Sequence, residues 1–364
     1  MRMSELMRTL RLARDPSRLR LAVSGRVQGV GFRPGVYRIA RRAEVGGSVR
    51  NTRRGVVIEI EGSAAAIRSV LCGLDGDLPP LARIDDVVAE EMEPSGERTF
   101  AIAPSEERGA AEIAFPVDTA TCPDCLRELR DPSDRRHGYP FINCTNCGPR
   151  FTIIEGLPYD RPLTTMREFD MDGACRIEYA DPADRRFHAE PISCRGCGPT
   201  LRLIDASGGR VPGDPIEEGR ALLAGGGILA VKGLGGYHFA ALAADESAVR
   251  RLRERKRRPA KPFACMFRDL RSLGRYCAAD GTERRLLASA EAPIVLLRRG
   301  ERRLPDAVAP RNAYVGALLP YTPLHHLLME PFEALVMTSG NFTDEPLISN
   351  EGEITTVLGS IADA

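Results

Sequence analysis

Alternating apolar and polar positions predict the elements of the first hundred residues. The stretch LRLAV, from Leu19 to Val23, alternates as a half-buried strand does, and an amphipathic helix is predicted from about Pro34. A strand pair around a turn follows in GGSVRNTRRGVVIEIEG, then a helix in SAAAIRSVLCGL and two further strand candidates. The order β-α-β-β-α-β within about ninety residues predicts a ferredoxin-like sandwich.

From about Leu201 the pattern changes to that of an α/β domain. The stretch ALLAGGGILAVKGLGGYHFAALA predicts the end of a helix, a glycine turn, a strand and then a lysine among more glycines. DESAVRRLRERKRRPAKPFACMF predicts a helix, a basic turn and a strand. We therefore expect an α+β multidomain protein, with domains at 19–106, 118–200 and 201–364.

A repeat with a period of fifty residues lies in the middle domain. The first copy contains two C-x-x-C pairs, and adding fifty to each position gives one aspartate and three cysteines in the second copy. The shared pattern DP-x-DRR supports this register. The two sets are Cys122, Cys125, Cys144 and Cys147, and Asp172, Cys175, Cys194 and Cys197.

The four thiolates of the first copy predict a tetrahedral, structural Zn²⁺ site. For the second copy two interpretations stay open. Asp172 either completes a second zinc site through a carboxylate oxygen, or marks a degenerate finger that holds metal weakly or not at all. His137 and His188 are interpreted as polar residues of the loop between the knuckles, although His188 is a possible substitute ligand.

Composition narrows the classes of protein. The hydrophobic content of 43% and charged content of 28% are ordinary for a globular protein, and no apolar run is long enough to cross a bilayer. A net charge of +1 and the absence of tryptophan argue against a nucleic-acid partner. Seven of ten cysteines fall in the repeat, which favours a reducing, cytoplasmic location; Cys72, Cys265 and Cys277 are predicted to be buried.

Two segments are candidate anion sites. Glycines 25, 29 and 31 allow a loop to wrap closely before a helix start, and the planar guanidinium of Arg33 suits a phosphate; the alternative is a plain tight turn with a surface arginine. The basic run at 255–261 is by default a solvated helix end. Pro259 and Pro262, which fix the backbone there, and Lys232, at a strand-to-glycine junction, favour an anion site instead.

Two of the segments resemble known domains. GRVQGVGFR followed by GGSVRNTRRG resembles the acylphosphatase family, which implies that Arg33 holds the phosphoryl group and Asn51 orients the attacking water. The order of VKGLGG, KRRPAKP and TSGN is similar to that of the YrdC-like domain, which makes threonylcarbamoyl-AMP. That resemblance implies ATP with Mg²⁺, and a nucleotide and substrate site formed by Lys232, Lys256, Arg258, Lys261, Ser339 and Asn341.

Together the three segments resemble the HypF family, the carbamoyltransferases of nickel-iron hydrogenase maturation, most closely in CTNCGPRFTI, LPYDRP, DRRFHA and VKGLGGYHFA. The resemblance implies that carbamoyl phosphate is hydrolysed to carbamate and that ATP converts carbamate to carbamoyl-AMP. The carbamoyl group then passes to the C-terminal cysteine of HypE for cyanide-ligand synthesis. We expect the YrdC-like domain to be C-terminally incomplete and the family's transferase domain to be missing, so that this chain lacks the last step.

Two alternatives belong to other classes. A tRNA-modifying synthase of the threonylcarbamoyl-AMP type would require bicarbonate and threonine. A zinc-organised binding scaffold would bind ATP without turnover.

Overall fold

The structure is a computed structural model that describes residues 3–10, 12, 15–106, 116–342, 345–350, 352, 354 and 359–364. The chain divides into two compact units. The first comprises Met1–Asp118 and Asn143–Gly198, and the second comprises Thr119–Ile142 and Pro199–Ala364. Each unit contains its own sheet and its own apolar core.

The first unit is built on a five-stranded sheet in the order β4-β1-β3-β2-β5. Its strands are β1 (Ser17–Arg26), β2 (Gly46–Thr52), β3 (Gly55–Gly62), β4 (Arg83–Met92) and β5 (Phe100–Ile102). The first four pair antiparallel, and β5 adds a short parallel edge beside β2. The predicted ferredoxin-like order is confirmed, with β5 as an addition.

The helices of this unit are α1 (Met3–Thr9), α2 (Phe32–Arg42), α3 (Ala64–Gly76) and, in the second finger, α5 (Gly173–Ala180). Leu19, Leu21 and Val23 are buried on one face of β1, as their alternation predicts. Their core continues into buried positions of α2 and α3, so the two helices cover one face of the sheet. Three short 3-10 helices follow the first finger, at Phe151–Ile153, Arg161–Leu163 and Thr165–Glu168.

The second unit is an α/β domain around a seven-stranded sheet in the order β6-β7-β12-β8-β11-β10-β9. Its strands are β6 (Leu229–Lys232), β7 (Tyr237–Leu242), β8 (Ala264–Phe267), β9 (Cys277–Ala278), β10 (Val295–Arg299), β11 (Tyr314–Leu318) and β12 (Ala334–Ser339). The helices are α4 (Pro123–Arg130), α6 (Pro215–Ala224), α7 (Glu246–Arg255), α8 (Leu270–Tyr276), α9 (Gly281–Leu287) and α10 (Pro323–Met329). Strand β8 runs parallel to β11, and the other pairs are antiparallel.

Burial of the three cysteines outside the repeat was predicted, and it holds for two of them. Cys265 and Cys277 are buried, and burial raises the pKa of the Cys277 thiol to about 11. The prediction for Cys72 is wrong, because this residue is exposed on α3. The buried positions of α3 include Ile67, Val70 and Leu74, and a step of 100° per residue turns Cys72 away from that face. Within the described part of the chain, every helix is too short or too polar to cross a lipid bilayer.

Candidate active sites and metal centres

The loop between β1 and α2 forms the first candidate site. Gly29 and Gly31 have φ values of 69° and 71°, a left-handed conformation that glycine adopts without strain. A Cβ at Gly29 would lie only 2.8 Å from the Cβ of Pro116, so a side chain there would also clash. Gln28 fixes the loop by donating from Nε2 to the carbonyl oxygens of Thr52 at 2.8 Å and Gly55 at 2.7 Å. The loop is therefore held against the β2–β3 turn.

The two residues predicted to be catalytic converge on one atom. Arg33 lies in the first turn of α2 and Asn51 near the end of β2, and both side chains are buried. Asn51 Nδ2 donates to the carbonyl oxygen of Tyr159 at 3.3 Å, and Arg33 Nη2 lies 3.5 Å from the same oxygen. The structure thus brings together two side chains that stand eighteen residues apart in the sequence.

Two carboxylates hold the guanidinium of Arg33. Nη1 lies 2.9 Å from Asp160 Oδ1, and Nη2 lies 3.0 Å from Glu190 Oε1. The other oxygen of Glu190 accepts from the Tyr179 hydroxyl and from the backbone N–H of Arg161, both at 3.0 Å. The carboxyl group of Glu190 therefore has a fixed orientation in an enclosed site.

Burial and neighbouring charges shift the pKa values of Arg33, Glu190 and His188. Burial opposes the charge on Arg33, but the carboxylates of Glu190 and Asp160 more than offset it and raise the Arg33 pKa. Burial also raises the pKa of Glu190, against the opposing pull of Arg33. Arg33 consequently stays charged. The ionised form of Glu190 is disfavoured, because burial removes its carboxylate from water. Burial likewise lowers the pKa of His188, which lines the same pocket, to about 4.

Sequence reasoning missed several residues that line this pocket or contact Arg33 and Glu190. Tyr159, Asp160 and Arg161 belong to the motif LPYDRP, and His188 belongs to DRRFHA. Both motifs contribute to the family resemblance, but neither predicts a contact with Arg33. The sequence therefore contains these residues in recognisable motifs without indicating which site they belong to.

Arg150 joins the first finger's second knuckle to the same loop. Its Nη2 donates to the carbonyl oxygens of Cys144 at 2.8 Å and Thr145 at 3.0 Å, and its Nη1 to that of Cys147 at 3.1 Å. Nε donates to the carbonyl oxygen of Gly29. The buried side chain of Arg150 thus links the backbone of two predicted ligands, Cys144 and Cys147, to the loop that contains Gly29.

The second predicted ligand set is assembled within the first unit. The ligand atoms of Asp172, Cys175, Cys194 and Cys197 lie within 4.8 Å of one another. The Sγ–Sγ distances are 3.6 Å for Cys194–Cys197 and Cys175–Cys197, and 3.8 Å for the pair Cys144–Cys147 of the first set; the other pair of that set, Cys122 and Cys125, belongs to the second unit. Sulfurs bound tetrahedrally to one ion at about 2.3 Å lie roughly 3.8 Å apart, so these distances fit a metal.

Asp172 has two roles in the second set. Its Oδ1 accepts from the backbone N–H of Cys175 at 2.7 Å and caps helix α5, while its Oδ2 lies 2.9 Å from Cys194 Sγ. Cys122, at the equivalent position in the first copy, makes no side-chain cap to α4. The aspartate therefore offers one oxygen to the helix and one to the metal position.

Three residues of the predicted nucleotide site form a cluster around Lys256. Its side chain is fully buried, and Nζ donates to the carbonyl oxygens of Ser339, at 2.6 Å, and Asn341, and to Asn341 Oδ1 at 2.9 Å. Ser339 Oγ donates to Asn341 Oδ1 at 2.6 Å. Burial, together with the nearby charges of Arg258 and Lys261, lowers the pKa of Lys256 to about 8.

The other three lie around this cluster. Arg258 Nη1 is 3.4 Å from Thr338 Oγ1, next to Ser339, while Lys261 is exposed. Lys232 ends β6 and lies exposed, with Nζ 5.6 Å from the centre of the Tyr237 ring. The basic run is therefore not a plain solvated helix end, since Lys256 points inward.

Arg253 is a further residue that the sequence did not single out. It is buried, and its Nη1 donates to the carbonyl oxygens of Arg258 at 2.8 Å and Lys261 at 3.2 Å. Its guanidinium also stacks 4.4 Å from the centre of the Phe263 ring. It holds the basic turn in one conformation.

Three family models match the chain. One described as acylphosphatase matches residues 19–102, and one described as HypF finger matches residues 121–154 and 173–204. One described as telomere recombination, for Sua5, YciO and YrdC, matches residues 221–364.

Known proteins match either most of the chain or one segment of it. Carbamoyltransferase HypF of Rhodobacter capsulatus is 49% identical over 356 residues, 95% of this chain and 46% of the relative. An acylphosphatase of Anaeromyxobacter dehalogenans is 43% identical over 102 residues, 28% of this chain and 98% of the relative. A crystal structure of full-length HypF in the phosphate- and nucleotide-bound form is 43% identical with a TM-score of 0.92, covering 96% of this chain and 46% of that one. This chain thus spans about half the length of the HypF relatives it matches.

Proposed function

This chain belongs to the HypF family, and from that premise we propose that it hydrolyses carbamoyl phosphate to carbamate and activates the carbamate with ATP. In the second reaction carbamate attacks the α-phosphate of ATP, carbamoyl-AMP forms and pyrophosphate leaves. For the longer family protein we propose HypE as the carbamoyl acceptor and cyanide-ligand synthesis for nickel-iron hydrogenase as the purpose. We also propose a cytoplasmic location, because seven of the ten cysteines belong to the two predicted metal-ligand sets and thiolate ligands suit a reducing compartment.

The convergence of Arg33 and Asn51 on the carbonyl oxygen of Tyr159 carries the first half of this proposal. We infer that this oxygen and the carboxylate of Asp160 stand where phosphoryl oxygens would bind, because each contacts a donor suited to an anion, while the enclosed carboxylate of Glu190 stays in place. Asn51 Oδ1 is buried and has no hydrogen-bond partner among the described residues. That acceptor is suited to orient a water molecule toward phosphorus.

The chemistry of the first step needs little more than this arrangement. An acyl phosphate is already activated, so the protein must stabilise charge on the phosphoryl oxygens and position the water. Arg33 supplies a fork of N–H donors that stays charged at all working pH values. Asp160, whose side chain is 24% exposed, can turn toward solvent when the substrate binds, whereas Glu190 is enclosed.

For the second step we propose that the residues around Lys256 bind ATP as its Mg²⁺ complex. Lys232, Arg258 and Lys261 supply positive charge for the phosphates and the carbamate. Lys256 fixes the turn of Ser339 and Asn341 through three hydrogen bonds, so that this turn can contact the nucleotide. Both four-ligand sets would hold Zn²⁺ as closed structural sites, with no open position for a substrate.

Phosphate release from carbamoyl phosphate tests the first step. Arg33→Ala should reduce release roughly 1,000-fold or more, because the charged donors to the phosphoryl group are lost. Arg42→Ala is the matched control: Arg42 lies on the same helix, is exposed and pairs only with Asp77 among the described residues. Unchanged release in Arg33→Ala would refute the proposed site.

Pyrophosphate–ATP exchange tests the second step. Exchange should depend on carbamoyl phosphate and disappear in Arg33→Ala, since the variant makes no carbamate. Exchange that instead requires bicarbonate and threonine would identify a synthase of the threonylcarbamoyl-AMP type. Binding of ATP without exchange would favour a binding scaffold.

A further inference from the structure

The two copies of the repeat differ at the positions that reach the pocket of Arg33. We propose that Glu190 of the second finger is a specificity-determining residue, which selects carbamoyl phosphate over other acyl phosphates by accepting an N–H of the substrate's amino group. The inference rests on the proposed hydrolysis of carbamoyl phosphate, and it names the residue that distinguishes the carbamoyl group from other acyl groups.

The loop between the knuckles has the same backbone in both fingers. Tyr139 N donates to the carbonyl oxygen of Arg136 at 3.0 Å, and fifty residues later Ala189 N donates to that of Arg186 at 2.9 Å. The two following turns also match, from Ile142 to Tyr139 at 3.2 Å and from Ile192 to Ala189 at 2.9 Å. The fold of the loop therefore does not require different side chains in the second copy.

The side chains nevertheless differ at two positions. Proline 140 of the first finger corresponds to Glu190, and Gly138, with φ 63°, corresponds to His188, with φ 53°. A left-handed conformation is unstrained for glycine and uncommon for residues with a side chain, and such positions concentrate at functional sites. Both replacements line the pocket that contains Arg33. The second finger thus carries a histidine and a carboxylate into this pocket at positions where the loop backbone, which the first finger shares, requires neither.

One oxygen of Glu190 can take a further donor from a substrate. Tyr179 and the backbone of Arg161 hold Oε2, so the carboxyl group cannot turn away. Oε1 accepts from Arg33 Nη2 at 3.0 Å, and a carboxylate oxygen can accept from a second donor as well. A phosphoryl group that takes the place of Asp160 on Arg33 Nη1 would bring its acyl substituent to the side of Oε1.

The acyl group decides whether Oε1 gains this second donor. Carbamoyl phosphate presents an amino group with two N–H donors, whereas acetyl phosphate presents a methyl group. A site built to hydrogen-bond a donor discriminates against the analogue that lacks it, because the buried carboxylate then faces an apolar group instead of a donor. Glu190 would consequently favour the carbamoyl ester.

The test compares kcat/KM for phosphate release from carbamoyl phosphate and from acetyl phosphate. The quantity to follow is the kcat/KM for carbamoyl phosphate divided by that for acetyl phosphate. In Glu190→Met, which has similar length and no acceptor oxygen, this ratio should fall roughly 10- to 100-fold. Glu190→Gln, which keeps a neutral carbonyl oxygen, should show a smaller fall in the same direction and serves if the methionine variant does not fold. Asp160→Asn is the matched control, because it also removes a charge from Arg33 but should change both substrates alike.

The outcomes separate this inference from the function on which it rests. If both Glu190 variants lose activity equally on the two substrates, Glu190 only positions Arg33 and the specificity role is refuted, while the hydrolysis stands. If the unmodified chain releases no phosphate from carbamoyl phosphate, the proposed function fails, and this inference fails with it.

Discussion

Two buried cations lie in the candidate sites, and their partners differ in kind. Arg33 in the first unit is held by the carboxylates of Asp160 and Glu190. Lys256 in the second unit is held by the carbonyl oxygens of Ser339 and Asn341 and the amide oxygen of Asn341. One site is an ion-pair network, and the other is a charge surrounded by neutral dipoles.

The difference predicts how each site responds to an anion. A phosphoryl group can replace the carboxylate of Asp160 at Arg33, because both are anions that accept hydrogen bonds from a guanidinium through two oxygens. The carbonyl oxygens around Lys256 belong to the backbone of one turn, so they cannot leave without rearranging it. Arg33 is therefore suited to exchange its partners during turnover, and Lys256 to hold a binding surface in shape.

Replacing Lys256 should reduce both the stability of the second unit and its exchange activity, and this is the largest effect that we expect. Lys256→Met leaves the acceptors of the 339–341 turn without their donor, so we expect the free energy of unfolding to fall by about 1–3 kcal/mol. Pyrophosphate–ATP exchange should fall roughly 100-fold or more, because the turn and a positive charge are both lost. Thermal unfolding and exchange assays measure the two effects.

Arg250→Ala is the control for this variant. Arg250 lies on the same helix α7, is exposed and pairs with Glu246 one turn away, an arrangement that contributes less than about 0.5 kcal/mol. A Lys256→Met protein that unfolds and exchanges like this control would show that the buried amine does not organise the site.

The activities that depend on the two cations should also differ in their pH dependence. The Lys256 pKa of about 8 lies well below that of an ordinary lysine, so the ammonium is lost as the pH rises through 8. The kcat/KM for ATP in exchange should then decline, approaching a tenfold loss per pH unit at higher pH. Phosphate release, corrected for spontaneous hydrolysis, should not share this decline, because the carboxylates raise the pKa of Arg33 against burial. A common decline of both activities above pH 8 would contradict the contrast between the two cations.

Local spacing explains what the sequence predicted well. The strand alternation of β1, the glycines before Arg33 and the fifty-residue offset between ligand sets each relate residues that are close or periodic in the chain. Such patterns predicted the ferredoxin-like order, the first set of four cysteines and, as one of two open interpretations, a second set completed by Asp172. Arg33 and Asn51 were predicted from the resemblance of two nearby segments to the acylphosphatase family.

Distant contacts explain what the sequence did not predict. Glu190 reaches Arg33 across 157 residues, and no period or spacing relates the two positions. Lys256 was identified, but a run of charges does not indicate which member points inward. One signal existed: Val249 and Leu252 are buried on α7, and Lys256 follows them at helical spacing.

The smallest expected effect concerns Asp172, and it distinguishes the two roles of its carboxylate. In Asp172→Cys a thiolate replaces the metal-facing oxygen, so the zinc content should remain two ions per chain, but helix α5 loses the cap from Oδ1. That loss should lower the free energy of unfolding by about 1 kcal/mol, measured at saturating zinc. Asp172→Asn is the complementary variant, because an amide oxygen retains the cap while the negative charge on the metal is lost, so zinc affinity should fall with the cap intact. One zinc ion in the unmodified chain, rising to two in Asp172→Cys, would mean that Asp172 caps the helix without binding metal.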